Sequence, residues 1–202
     1  MSAERSSTFT LITGANRGIG LELARQAAAD GRNLILVAHN AATLETAANE
    51  LKRSVTVHTI AQDLSEPGAA EKVYDRVQAL HAEVDCLIND AGFGDHGAFY
   101  VLAFSEGLAE ELRGSGVTVT ALCPPPVNTS FASGAQVAPS SYMATTKTTP
   151  AEVARYGYLM MKRGKPVAVY SPLYKFLTGF LVRITPRFGL RRLMHRLNAQ
   201  GT

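Results

Sequence analysis

Between Thr8 and Asn89, short runs of β-branched and aliphatic residues alternate with stretches in which apolar positions recur every three or four residues. The runs Phe9–Thr13, Asn33–Ala38, Val55–Ile60 and Val84–Asn89 predict strands. Between them, Ile19, Leu23 and Ala27 line one face of a first helix that Gly31 can close, Ala41–Lys52 supplies a second, and Val73, Val77 and Leu80 line a third. Beyond a Gly-rich stretch, Val101, Phe104, Leu108 and Leu112 stand at helical spacing, and Val117–Leu122 reads as another strand. Pro124 to Pro126 stop that strand, and residues 129–148, rich in Ser, Thr and Ala, read as a long loop. Thr149 before Pro150 is a helix start, leading to Met161, and Val167–Tyr170 is a last short strand. Strand and helix alternating in this way predict an α/β chain, a Rossmann-type doubly wound parallel sheet in a single domain spanning residues 1–202. Residues 173–202 read as a basic helical tail of that domain, broken by Pro186, with Phe176, Phe180 and Ile184 on one face and Arg183, Arg187, Arg191, Arg192 and Arg196 among the rest.

Composition narrows the function classes. With 202 residues, 46% hydrophobic and 18% charged, the chain has the make-up of an ordinary globular domain, and a net charge of +3 lacks the basic stripe of a nucleic-acid binder. The polar stretch Met1–Ser7 runs straight into the first strand, so a cytoplasmic location is expected. Cys86 and Cys123 fall in apolar runs, where a thiol behaves as a small hydrophobe, and suggest neither a metal site nor a disulfide.

The first chemical signal is Thr13-Gly14-Ala15-Asn16-Arg17-Gly18-Ile19-Gly20, placed directly after the first strand and opening the first helix. Glycines there let the backbone turn tightly and approach a pyrophosphate, while the free amides and positive end of the helix attract its charge. Gly14, Asn16, Arg17, Gly18, Ile19 and Gly20 are therefore assigned to a dinucleotide. The second strand ends in Ala38-His39-Asn40 with no acid to accept from a ribose hydroxyl pair, which points to NADP(H) rather than NAD. Arg17 is the expected partner of a 2′-phosphate and His39 a weaker, titrating helper; a plain solvated loop residue accounts for His39 equally well.

With these residues the sequence resembles the short-chain dehydrogenase/reductase family: the spacing of Thr13, Gly14, Gly18 and Gly20, Asp63-Leu64 after the third strand, and Asn89-Asp90-Ala91-Gly92 after the fourth. The resemblance implies that Asp63 holds the adenine amine, that Asn89 and Gly92 border the ribose, and that Val127 and Thr129 lie by the nicotinamide amide. Leu64 and Ala91 complete the assigned set. Several positions depart from the family's pattern. Asp90 stands where the family has a second Asn, Pro125 where it has Gly, and His39 where NADP-using members often have Arg.

A larger departure is internal. The family follows its Asn-Ala-Gly turn with a helix carrying an Asn, a strand ending in a catalytic Ser, and a helix bearing Tyr-x-x-x-Lys; here Gly97-Ala98-Phe99 passes directly to Tyr100, which resembles the chain just beyond that lysine. A segment of roughly 50 to 60 residues is passed over. Tyr142 and Lys147, five apart in the long loop, read as plain loop, so the chain is expected to lack a Tyr-x-x-x-Lys pair and no catalytic residue is assigned. The sheet is then shortened by about one strand and one to two helices. Its expected order is 3-2-1-4 followed by two more strands, with apolar side chains of the strand face and of Leu108 and Leu112 uncovered, so lower stability or a changed homo-oligomer is expected. The resulting expectation is an impaired relative that keeps an NADP(H)-type site. The alternatives are an active NADP-dependent oxidoreductase on a small carbonyl or alcohol, should the protein possess a segment that this sequence omits, and a module that contacts a membrane surface or a protein through its basic C-terminal tail.

Overall fold

A computed structural model describes residues 8–92, 98–125, 127 and 148–170. The chain divides into two compact units, Met1–Phe93 and Gly94–Thr202.

In the first unit, β1 (Thr8–Thr13), β2 (Asn33–Ala38), β3 (Val57–Ala61) and β4 (Glu83–Asn89) form one parallel sheet in the order β3-β2-β1-β4. The helices α1 (Gly18–Ala29), α2 (Ala41–Leu51) and α3 (Ala69–Ala79) connect them. β2 is central because its side chains are apolar in both directions, and every residue of it is buried. Side chains alternate across the sheet, so Leu11, Ile35, Val37 and Ile60 meet Val73 and Val77 of α3, while Ile12, Leu34 and Leu36 are directed to the opposite face, where α1 and α2 pack. Helices thus cover both faces, the doubly wound Rossmann arrangement expected. Gly31 ends α1 as foreseen: at φ +76° it donates to Ala28 O while Arg32 donates to Ala27 O, satisfying the last carbonyls of the helix.

In the second unit, α4 (Ala98–Glu111) leads to β5 (Ala121–Cys123), and α5 (Pro150–Lys162) leads to β6 (Val167–Val169). Thr149 and Glu152 close a reciprocal capping box at the start of α5, and Pro150 is its first residue. Gly157 brings that helix close to β5, since a Cβ there would lie 2.6 Å from a methyl of Leu122.

The first four strands follow the expected order, but the last two do not extend it. β5 and β6 pair with each other in a separate two-stranded parallel ladder, and among the described residues β4 is paired on one side only, with β1. β5 is also shorter than the predicted Val117–Leu122. The turn through Gly114 and Gly116, at φ +85° and +86°, holds Val117 N on Ser115 Oγ, and β6 offers only three residues for pairing. The tail, residues 173–202, lies outside the described residues, and no helix among those described is long and apolar enough to cross a membrane.

Candidate dinucleotide site

The site is built where β1 and β4 end side by side, with Thr13 opposite Asn89 in the ladder. The buried Thr13 hydroxyl accepts from the amides of both Asp90 and Ala91 at 3.1 Å, which bends the chain back toward the glycine loop as soon as β4 finishes. The loop meets that bend closely. A Cβ on Gly14, whose φ is +69°, would lie 2.9 Å from Ala91 N, and one on Gly20 would lie 2.5 Å from Gly14 O and 2.8 Å from the Asp90 carboxylate. Gly14 and Gly20 are thus required first by the protein's own packing, independently of any ligand. On the other side of the loop, Ala15 N donates to Val37 O at 3.3 Å, tying it to the end of β2.

Gly18 lies at φ +63° and opens α1. Arg17 is the residue before it, extended at φ −166°; its side chain makes no cap, and it is exposed. The amides of Gly18 and Ile19 therefore stand at a helix end whose N-cap residue supplies no side-chain cap, the arrangement that receives anionic oxygens. Asn16 donates through Nδ2 to Thr43 Oγ1 at 3.0 Å, and Asn40 Oδ1 accepts from Thr43 N at the same distance, capping α2. His39 is exposed before that cap.

At the end of β3, Asp63 is exposed and its Oδ1 accepts from the Ser65 hydroxyl at 2.7 Å and the Ser65 amide at 2.9 Å. The hydroxyl, the amide and the charge of His39 hold its carboxyl below the usual range. Leu64 packs against the core cluster beneath α3 and anchors the turn. Asn89, the last residue of β4, and Ala91 and Gly92 beyond it are exposed. Gly14, Asn16, Arg17, Gly18, Ile19, Gly20, His39, Asp63, Leu64, Asn89, Ala91 and Gly92 all fall in the first unit. Val127 belongs to the second unit, and Thr129, Tyr142 and Lys147 lie outside the described residues.

Two features escaped the reading of the sequence. Asp90 appeared there only as a lost amide, yet it is largely buried, accepts from the Gly20 amide, and burial pushes its carboxyl up to about 7 against that hydrogen bond. The other is a correction. The chain does contain a Tyr-x-x-x-Lys pair, Tyr158 and Lys162 on α5, which a check of spacing alone reveals. Tyr158 is 6% exposed in the buried stripe of that helix with Val153, Ala154 and Gly157, and Lys162 Nζ sits 5.8 Å from its ring centroid. The ring is a core element covered by a cation, on the helix that follows the long loop instead of the one following the Asn-Asp-Ala-Gly turn.

Residues 8–103 match the short chain dehydrogenase family. In that segment the chain is similar to the family. The chain is 31% identical over 99 residues to (+)-neomenthol dehydrogenase of Arabidopsis thaliana, and 37% identical over 105 residues to the dehydrogenase/reductase SDR family member 7B of Bos taurus. These matches take in 46% and 48% of this chain but 33% and 32% of the relatives, so it aligns with about a third of their length. In fold, it is similar to a short-chain dehydrogenase from Sphingobium yanoikuyae in complex with NADPH, with a TM-score of 0.74 at 22% identity, covering 94% of this chain and 95% of the other. A short-chain dehydrogenase/reductase from Burkholderia phymatum in complex with NAD aligns with a TM-score of 0.69 at 15% identity, over 88% and 92% of the two chains.

Proposed function

We propose that this chain is a shortened relative of the short-chain dehydrogenases that binds NADP(H) at the glycine loop of its first unit and has little or no oxidoreductase activity as it stands. The observation that carries the first half is the start of α1: a helix end whose N-cap residue, the exposed Arg17, makes no cap, entered through glycines at positive φ. The end of β2 supports NADP(H) over NAD(H). His39 and Asn40 stand there with no acid, and Asn40 is already engaged at the start of α2. A 2′-phosphate placed near Arg17 and His39 gains charge-assisted hydrogen bonds that a ribose hydroxyl does not. The NADPH-bound structural relative supports the same choice.

The second half rests on the proton donor. Reducing a carbonyl needs an acid at the oxygen as hydride reaches carbon, and a tyrosine serves near neutral pH only when a cation lowers its pKa. The direct passage from Phe99 to Tyr100 leaves out the segment that carries this pair in the family, and Tyr158 with Lys162 is occupied in the core of the second unit. NADP(H) would supply the hydride, with Gly18 and Ile19 holding its pyrophosphate and Arg17 its 2′-phosphate. Titration with NADPH and NADH, followed by fluorescence, tests the binding. NADPH should bind at least tenfold more tightly, and Arg17→Ala should remove most of that margin. Equal affinities, insensitive to Arg17→Ala, would defeat the assignment.

A further inference from the structure

The Asp90 carboxyl occupies a junction assembled by three elements. Thr13 at the end of β1 bends the chain after β4, the bend carries Asp90 toward the first turn of α1, and there it accepts from the amide of Gly20. Gly20 is the third residue of α1, so its amide is one of those the helix leaves open at its positive end. The fit leaves no slack, since a Cβ on Gly20 would meet both Gly14 O and Asp90 Oδ2.

Nothing charged offsets the burial of this group among the described residues. On α1, Arg17 is exposed, while Glu22 and Arg25 pair with each other and Arg25 with Glu50 of α2. After β2, His39 acts on Asp63, and on β4, Asp85 pairs with Arg32. Burial is therefore the larger influence on Asp90, the Gly20 amide opposes it, and the carboxyl is pushed up to about 7.

We infer that Asp90 is a positioning residue that couples nucleotide binding at the glycine loop to the uptake of one proton. The inference rests on the dinucleotide reading above. In its neutral form the carboxyl leaves the positive end of α1 to the nucleotide's pyrophosphate. As a carboxylate it is a second anion at the same helix end, and the two repel in a poorly solvated junction. Bound nucleotide therefore favours the protonated acid, and above pH 7 each binding event draws one proton from solvent onto an Asp90 oxygen. By linkage, affinity falls as pH rises, by up to tenfold per pH unit for one proton.

The test is a set of NADPH titrations from pH 6.5 to 9 at fixed ionic strength, on the wild-type chain and on Asp90→Asn. Calorimetry at pH 8 in two buffers of different ionisation heat counts the protons taken up. The wild type should weaken progressively above pH 7 and take up close to one proton, while Asp90→Asn should lose that component and bind at least as tightly as the wild type at pH 8. Both proteins keep His39 and the same nucleotide, so the difference belongs to Asp90. Parallel pH profiles in the two proteins would overturn the coupling and leave NADPH binding intact. Absence of NADPH binding by either protein at any pH would instead defeat the dinucleotide reading and the coupling with it. Should the variant fail to fold, ¹³C NMR of the wild-type Asp90 carboxyl carries the same test. NADPH must move its titration midpoint upward, and an unmoved midpoint overturns the inference.

Discussion

The glycines of the loop differ in what constrains them, and substitutions separate the causes. Gly14 and Gly20 are hemmed in by the protein itself, while Gly18 is held at φ +63° at the mouth of α1. A branched side chain at Gly18 is strained by that backbone and stands where a pyrophosphate must approach. Gly18→Val should therefore abolish NADPH binding in a protein whose circular dichroism and urea midpoint show it still folded. A folded variant with unchanged affinity would remove the site from this loop. Asp90 predicts a pH dependence of stability apart from any ligand. Its carboxyl is raised to about 7 in the folded chain, above the ordinary carboxyl value, so the folded state holds a proton that the unfolded chain releases. The stabilisation is fully present below about pH 4 and is lost as pH rises through about 7. Its full size is on the order of a few kcal/mol. Urea midpoints measured from pH 5 to pH 8 should fall in the wild type and fall less in Asp90→Asn; equal slopes would place the proton elsewhere.

At the scale of elements, what the sequence revealed and what it hid have physical causes. β2 was legible to the residue because a strand buried on both faces reads as an unbroken apolar run. β3 begins two residues later than the run from Val55 suggests, since Val55 N and Ser54 N both donate to Leu51 O and so close α2 before the ladder can start. β5 was overestimated because the alternation of Val117, Val119 and Ala121 says nothing of how long a partner β6 provides. Within the site, the glycine loop and the turn after β4 were legible as local patterns. The burial of Asp90 and the bridge made by Thr13 arise only when β1 and β4 lie side by side, and no local pattern contains that. The start of α5 was legible in Thr149-Pro150, and its strength can be measured. Thr149 Oγ1 accepts from Glu152 N at 3.3 Å while Glu152 Oε2 accepts from Thr149 N at 2.8 Å. Thr149→Ala leaves a first-turn amide unsatisfied and should cost about 1 kcal/mol in unfolding free energy, with no change in nucleotide affinity. A loss of affinity would show that α5 influences the loop in the first unit.

At the scale of the molecule, among the described residues the sheet of the first unit ends on β4, and each unit leaves large apolar side chains bare. Leu87 on β4 is 58% exposed, and on α4 Val101 and Phe104 are 65% and 70% exposed. Under the proposed reading, the passage from Phe99 to Tyr100 leaves out the helix-strand-helix that carries the family's proton donor. The consequence for turnover is specific. General acid catalysis is worth about 10² to 10⁴ in rate, and hydride transfer to an unprotonated, unpolarised carbonyl forgoes it. A chain of these 202 residues should therefore show no carbonyl reduction or alcohol oxidation above background with NADP(H), across small ketones, aldehydes and secondary alcohols. The measurement is the change in NADPH absorbance at saturating cofactor, with nucleotide binding verified in the same sample. If turnover is found, Tyr158→Phe and Lys162→Ala examine the only pair with the family's spacing, and Tyr142→Phe with Lys147→Ala the looser one. Loss of turnover in either set would reassign the proton donor to that pair. Turnover indifferent to all four substitutions would mean that this shortened fold reduces carbonyls without a tyrosine acid, and the impaired reading would be withdrawn.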